Sequence, residues 1–160
     1  MNPLTTADVQ KALDALDLNI EITEFSESTA TSELAAEAIG TTVSRIAKSI
    51  VFMVLDQPIV VITAGDQRVD DRKIAAHYEV GRKKVKIAKP EQCIEFIGYA
   101  PGGVPPLGHR TVVPVFIDET LGRFDTIYAA AGSAQTIFSI AHTKLVEITN
   151  GQVMDVVHDE

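Results

Sequence analysis

One lysine in this 160-residue sequence stands where its ammonium could act on a carbonyl group. Lys48, followed by Ser49, comes immediately before the apolar segment Ile50–Leu55. An ammonium fixed at the mouth of a pocket can donate a hydrogen bond to a carbonyl oxygen as negative charge develops on it. The alternative is a surface lysine whose aliphatic stem covers apolar residues while its charge stays in water.

A loop rich in glycine and proline is the second feature with chemical potential. Residues 98–109 read Gly-Tyr-Ala-Pro-Gly-Gly-Val-Pro-Pro-Leu-Gly-His. Glycines let main-chain N–H groups approach a ligand closely, and prolines hold the backbone at little entropic cost. The alternative is a tight connection between two elements, the more frequent role of such clusters.

Several familiar catalytic signatures are missing from the sequence. It contains no GxGxxG, GxxxxGK[ST], GxSxG or HExxH motif. The usual sequence markers of dinucleotide binding, P-loop phosphate binding, a serine-nucleophile hydrolase and a zinc metalloprotease are therefore absent. The four histidines are scattered, and none forms an i, i+4 pair that would suggest a metal site. Cys93 lies within a predicted helix and is expected to be a small core residue. We therefore predict neither a metal nor a cofactor.

The elements that must position these residues mix helices and strands without a regular βαβ order. Predicted helices cover 5–17, 32–39, 71–79, 90–97 and 142–147, and predicted strands cover 20–25, 50–55, 59–64, 84–88, 112–117, 126–130, 136–140 and 152–156. The residues 56–58 predict a hairpin turn between two buried strands. This pattern favours an α+β fold. We predict a single domain over 1–160, with a mixed or antiparallel β-sheet, or a barrel-like sheet, flanked by helices.

Composition and charge narrow the class of protein further. Hydrophobic residues make up 46% of the chain, which excludes disorder. No signal peptide or membrane span is recognisable, so we expect a cytoplasmic protein without a membrane partner. The net charge of −8 argues against a general nucleic-acid coat protein. However, residues 68–89 hold eight of the fourteen cations and only three acids. This segment is either a solvated face or a local patch for phosphates.

Four short motifs, taken in order and spacing, resemble the YbaK/ProX family. These are single-domain aminoacyl-tRNA deacylases, similar to the editing domain inserted in bacterial prolyl-tRNA synthetases, and the resemblance covers nearly the whole chain. The motifs are Lys48-Ser49, Ala64-Gly65-Asp66-x-Arg68-Val69-Asp70, Gly98-Tyr99-x-x-Gly102-Gly103-Val104-x-Pro106-x-Gly108 and Pro114-Val115-x-Ile117-Asp118.

The resemblance implies a function and a set of site residues. The function is hydrolysis of mischarged aminoacyl-tRNA in trans, by water attack on the ester, with Lys48 and the loop Gly102–Pro106 positioning the carbonyl. The implied catalytic residues are Lys48 and Gly103. The residues implied to bind the substrate are Ser49, Gly102, Val104, Pro105, Pro106 and His109. The residues implied to contact tRNA are Arg68, Arg72, Lys83, Lys84 and Lys86. The implied partners are the tRNA acceptor end and an aminoacyl-tRNA synthetase.

Alternatives remain open at this point. Ser49 either bonds the substrate or pairs within the sheet, His109 either meets the terminal ribose or is a loop histidine, and Asp118 is expected to be structural. The chain is either a deacylase, a non-catalytic module that binds tRNA, a synthetase or an amino-acid-like ligand, or an unrelated small-molecule hydrolase. The sequence does not choose among cysteine, alanine, serine and threonine as the amino acid removed.

Overall fold

Eight strands form one mixed β-sheet in the computed structural model, which describes residues 2–159. The strands are β1 (Thr23–Glu24), β2 (Ile46–Val54), β3 (Gln57–Ala64), β4 (Val85–Ile87), β5 (Val115–Asp118), β6 (Thr126–Ala130), β7 (Thr136–Ala141) and β8 (Gln152–Met154). Their order is β1-β7-β6-β2-β3-β5-β8, and β4 also pairs with β2. The pairs β2–β6, β3–β5 and β5–β8 are parallel, and the others are antiparallel. The predicted α+β class with a mixed sheet is confirmed.

Five α-helices in the described residues flank this sheet. They are α1 (Thr6–Ala15), α2 (Ser32–Ile39), α3 (Asp71–Tyr78), α4 (Pro90–Gln92), which continues as a π-helical turn (Cys93–Ile97), and α5 (His142–Thr149). The helices α2, α3, α4 and α5 begin at the residues that the sequence predicts, and α1 begins one residue later. Side chains cap the first turns of α1, α2 and α3. Thr5 and Asp8 form a capping box at α1, the Thr31 hydroxyl accepts from Leu34 N at α2, and the Asp70 carboxylate accepts from Arg72 N at α3. Within residues 2–159, no helix has the length and apolar character needed to cross a bilayer.

The hairpin of β2 and β3 is the centre of the sheet. Its continuous apolar run is buried on both faces, as predicted, but two details differ. The turn consists of Leu55 and Asp56, both with positive φ, which is the backbone of a two-residue hairpin turn, so β3 already begins at Gln57. In addition, β2 begins at Ile46, and Lys48 therefore lies inside the strand and not before it. Ile46 and Ala47 extend the strand because they pair with β6.

Two different strands share the outer edge of β2. The parallel partner β6 is in register only with Ile46 and Ala47, whereas the antiparallel partner β4 is in register only with residues 52–54. Residues 48–51 therefore have no registered strand on this edge in the described part of the chain, apart from the bond that Ala88 N donates to Val51 O. This gap in the sheet positions the site described below.

Three apolar clusters pack against the two faces of the sheet. The largest contains Val9 and Leu13 of α1, a second contains Ile74 and Ala75 of α3, and a third contains Ala35 and Ala36 of α2. Several strands are shorter in the structure than the sequence predicts. The strand predicted over 20–25 is reduced to β1, and the strand predicted from 112 begins at Val115, since Pro114 cannot donate to a ladder.

Candidate functional site

A cavity of about 520 Å³ lies at the gap between β4 and β6. Residues 46–51 of β2 form one wall, and the segment 29–33, which leads into α2, forms another. Pro101, Gly102 and Val104 of the glycine-proline loop close a third side. The remaining wall residues are Ala35, Gly65, Ile87, Ala88, Pro90, Cys93, Tyr128, Ala129, Ala130 and Ile137. The cavity is thus largely apolar, and its polar groups are concentrated around Lys48.

Lys48 lines this cavity and is partly buried. Burial lowers the pKa of its ammonium, because removal from water penalises the charged form. The carboxylates of Glu33 and Asp66 oppose this shift, and Arg68 adds to it. The two carboxylates favour the protonated form, in which the amine is a hydrogen-bond donor.

The pH dependence of any reaction that needs the Lys48 ammonium should report its pKa, which burial lowers and the carboxylates of Glu33 and Asp66 raise. Because the donor is the protonated amine, the rate should fall as pH rises through a pKa below the ordinary lysine value. Replacing Glu33 with Gln removes a neighbour that raises this pKa, so the falling limb should move to lower pH. The measurement is kcat/KM against pH, corrected for the uncatalysed reaction. Glu37→Gln, one turn further along α2, is the matched control and should not move the limb.

Asp66 connects Lys48 to a second cationic group. Its carboxylate accepts two hydrogen bonds from Arg123, at 2.9 and 3.2 Å, and these bonds hold the pKa of Asp66 below its ordinary value. The guanidinium groups of Arg123 and Arg45 both lie over the ring of Phe124, 5.2 and 4.6 Å from its centroid. The loop after β3, which also contributes Gly65 to the cavity, is therefore anchored by ion pairing and cation–π contact.

Ser49 lies next to Lys48 in β2 and also lines the cavity. It is in register with Ile62 of β3. Its hydroxyl oxygen is buried and has no hydrogen-bond partner among the described residues. A buried hydroxyl without a partner costs free energy in the folded protein, so this group is available to a ligand.

The glycine-proline loop contributes fewer residues to the cavity than the sequence implied. Gly102 and Val104 line it, whereas Gly103, Pro105, Pro106 and His109 do not. The Gly103 N–H donates to Ala100 O at 3.1 Å, and its carbonyl accepts from Gly132 N at 2.9 Å. Both main-chain groups of Gly103 therefore form hydrogen bonds within the protein.

His109 and Tyr99 hold the shape of this loop. His109 Nε2 lies 2.7 Å from Pro105 O, and the Tyr99 hydroxyl donates to Gly108 O at 2.8 Å. Burial lowers the pKa of His109 and raises that of Tyr99 to about 12. Both side chains are therefore neutral at pH 7. The structure gives His109 a contact within the loop and none with the cavity.

Two further residues singled out in the sequence occupy structural positions. Cys93 belongs to the largest apolar cluster, although it also forms part of the cavity wall, and burial raises the pKa of its thiol. The Asp118 carboxylate is fully buried and accepts from Val156 N at 3.0 Å and from the N–H and hydroxyl of Thr120. Among residues 2–159, no three His, Cys, Asp or Glu side chains cluster as a metal site.

The basic segment 68–89 is divided between paired and unpaired cations. Arg72 bonds Asp70 through two nitrogens, Lys73 bonds Asp155 and Asp159, and Arg82 bonds Asp71. The other candidates for tRNA contact have no ion pair among the described residues, and these are Arg68, Lys83, Lys84 and Lys86. Lys86 precedes Ile87 of the cavity wall, whereas Lys83 and Lys84 lie near the hairpin turn, about 20 Å along β2 from Lys48.

Sequence reasoning missed one wall of the site. The segment from Thr29 to Glu33 is separated from Lys48 by the rest of α2, and the packing of α2 against the start of β2 brings them together. The one available signal was Thr31, which marks the beginning of a helix but does not say where that helix points.

Comparisons with known proteins identify the family of this chain. Residues 26–148 match the model of the aminoacyl-tRNA editing domain. The chain is 36% identical over 141 residues to "Uncharacterized protein YwhH" of Bacillus subtilis (strain 168), covering 87% of this chain and 88% of that protein. It is 28% identical over 137 residues to "Putative Cys-tRNA(Pro)/Cys-tRNA(Cys) deacylase EbsC" of Enterococcus faecalis, covering 85% and 82%.

A solved structure extends the similarity to the fold. "Crystal structure of a putative trans-editing enzyme for prolyl tRNA synthetase" superposes with a TM-score of 0.89 at 32% identity, covering 96% of this chain and 97% of that one. The family model spans most of the chain, including all the walls of the cavity. The chain therefore belongs to the aminoacyl-tRNA editing domain family.

Proposed function

We propose that the protein hydrolyses the ester bond of mischarged aminoacyl-tRNA carrying a small amino acid, acting in trans. One observation supports this most strongly: the partly buried Lys48 ammonium and the rigid loop residues Gly102 and Val104 line the same apolar cavity. Its volume of about 520 Å³ lies within the range of about 300–1,000 Å³ usual for small-molecule sites. The similarity to proteins named as a deacylase and a trans-editing enzyme adds to this support.

The chemistry that this arrangement favours is acyl transfer to water. Water attacks the ester carbonyl carbon, and the carbonyl electron pair moves onto oxygen, where the Lys48 ammonium stabilises the negative charge. The tetrahedral intermediate then expels the ribose oxygen, which takes up the proton released by the water. A substrate hydroxyl or thiol, or a bound water, would relay that proton. One well-placed donor of this kind contributes about 2.7–4 kcal/mol.

Hydrolysis of this type meets a physical need of translation. A synthetase pocket rejects a near-isosteric amino acid by only about one to two powers of ten. A second site that admits the wrong amino acid and hydrolyses its ester supplies the missing discrimination. The apolar wall around Ala47, Val51 and Ala129 suits a small neutral side chain among cysteine, alanine, serine and threonine.

A panel of charged tRNAs tests the proposal. The protein is incubated with tRNAs carrying labelled cysteine, alanine, serine or threonine, and release of the free amino acid is followed above the spontaneous rate. We expect release from at least one member. Protection of every ester without release would instead favour the binding module, and equal activity on simple esters without tRNA would favour an unrelated hydrolase.

Contact with tRNA phosphates should depend on the unpaired lysines near the hairpin turn. Replacing both Lys83 and Lys84 with Ala should weaken tRNA affinity, because each phosphate contact releases condensed counterions. The slope of log affinity against log salt should become shallower by about two. The matched control is Lys144→Ala, which removes a lysine paired with Glu147 on α5. An unchanged slope in the double variant would exclude this pair of lysines as the contact.

A further inference from the structure

The gap in the edge of β2 exposes main-chain groups of one particular residue. Gly65 N donates to Ile46 O on the β3 side, and Ala88 N donates to Val51 O on the β4 side. Alternate residues of a strand direct their main-chain groups to alternate edges. Ser49 therefore directs both its N–H and its C=O toward the gap, where neither β4 nor β6 is in register with it.

The side chain of Ser49 adds an independent observation. Its hydroxyl oxygen is buried, lines the cavity wall and has no partner among the described residues. Three polar groups of a single residue, namely N–H, C=O and hydroxyl, thus border the same largely apolar cavity. Buried polar groups in folded proteins are nearly always bonded, so this residue points to a polar ligand placed directly opposite it.

An α-aminoacyl group has the complementary pattern. In a hydrogen-bonded antiparallel pair, each residue donates its N–H to the other and accepts at its carbonyl from the other. An aminoacyl ester offers an α-ammonium donor and a carbonyl acceptor with the spacing of one residue. We propose, resting on the function proposed above, that the aminoacyl group fills the gap as a one-residue β-strand opposite Ser49. Its α-ammonium donates to Ser49 C=O, and its carbonyl accepts from Ser49 N–H.

This pairing makes the cavity selective for handedness. Residues opposite each other in an antiparallel pair direct their side chains to the same face. The side chain of an L-aminoacyl group would therefore lie on the Ser49 face, which also holds Ala47, Val51 and Cys93 of the cavity wall. A D-aminoacyl group would direct its side chain to the opposite face, toward the Lys48 stem. Ser49 N–H would also be a second donor to the carbonyl, beside the Lys48 ammonium.

Binding of a non-hydrolysable analogue tests the pairing without requiring turnover. The probes are adenosines in which an amide joins L-alanine or D-alanine to the 3′ position of the ribose, and calorimetry gives their Kd. Ser49→Pro removes the N–H at a position where it has no partner in the sheet, so the strand should tolerate it. We expect L-analogue binding to weaken about tenfold or more relative to Ser49→Ala, which keeps the N–H.

Controls separate binding from folding. Ile50→Pro removes an N–H that is directed toward β3, and it should lower the melting temperature well below that of Ser49→Pro. If Ser49→Pro does not fold, the wild-type protein still decides the matter, because it should bind the L-analogue about tenfold or more tightly than the D-analogue. Equal affinity for the two enantiomers, no binding of either, or a folded Ser49→Pro that binds like Ser49→Ala would overturn the pairing. Binding of the L-analogue without any hydrolysis of charged tRNA would leave the pairing intact and reject only the proposed catalysis.

Discussion

Removing the Lys48 amine is expected to slow deacylation by about 10²–10³ in kcat, the usual effect of losing one donor to a developing oxyanion. Lys48→Ala and Lys48→Met should lose similar amounts of activity, because both variants lack the ammonium. Methionine keeps a long unbranched side chain, so it leaves the packing around this position closer to that of the wild type. The measurement is release of labelled amino acid from the best substrate of the panel under single-turnover conditions. The melting temperature of each variant shows that the fold is retained.

A lysine outside the cavity provides the comparison for this effect. Lys11 is exposed on α1 and does not line the cavity, so Lys11→Ala should keep the wild-type rate. If Lys48→Met retained full activity, the ammonium would have no part in the chemistry. A loss in Lys48→Ala alone would then indicate a packing defect.

Adding one methyl group at Gly103 should have the second largest effect. A Cβ at this position would lie 2.9 Å from the backbone N, Cα and C of Ser133, and backbone atoms cannot move aside as a flexible side chain can. We expect Gly103→Ala to lower the free energy of unfolding by about 1–3 kcal/mol, the usual cost of overpacking. Because Gly102 and Val104 flank the displaced residue, kcat/KM for deacylation should also fall.

Another glycine offers a matched comparison. A Cβ at Gly81 would meet no atom within 4 Å, so Gly81→Ala should change the free energy of unfolding by less than about 0.5 kcal/mol. Urea unfolding of the two variants, followed by circular dichroism, gives both values. Equal stability and equal activity in the two variants would mean that close contact between the loop and Ser133 does not shape the cavity.

The sheet was largely predictable because its signals are local. Long apolar runs at 50–55 and 59–64 indicate two buried strands, and the residues between them indicate a turn. The start of β2 was not predictable in the same way, because a lysine inside a central strand is rare. It is tolerated here because Lys48 borders the gap between β6 and β4, and that gap depends on pairings with segments far along the chain.

Two walls of the candidate cavity were predictable from residue types, and the geometry within them was less so. Residue types identified Lys48 and the glycine-proline loop, but the direction of each loop residue depends on contacts with Ser133, Tyr99 and other distant groups. The sequence therefore could not tell that Gly102 faces the cavity while Gly103 packs against Ser133.

The ion pairs of the basic segment 68–89 were also predictable only in part. The ion pair of Arg72 with Asp70 spans two residues and could be anticipated. The bonds from Lys73 to Asp155 and Asp159 join residues 82 and 86 positions apart, and only the folded chain reveals them. Charge counted along the sequence therefore overstated the number of cations free to meet phosphates.

The position of the substrate carbonyl tests the central claim most directly. A crystal structure of the protein with the amide-linked L-alanyl adenosine analogue would locate that carbonyl. We predict that its oxygen lies within about 3.2 Å of Lys48 Nζ, inside the cavity and beside Gly102 and Val104. An analogue bound elsewhere on the protein, or one whose carbonyl faces away from the Lys48 ammonium, would contradict the proposed active site.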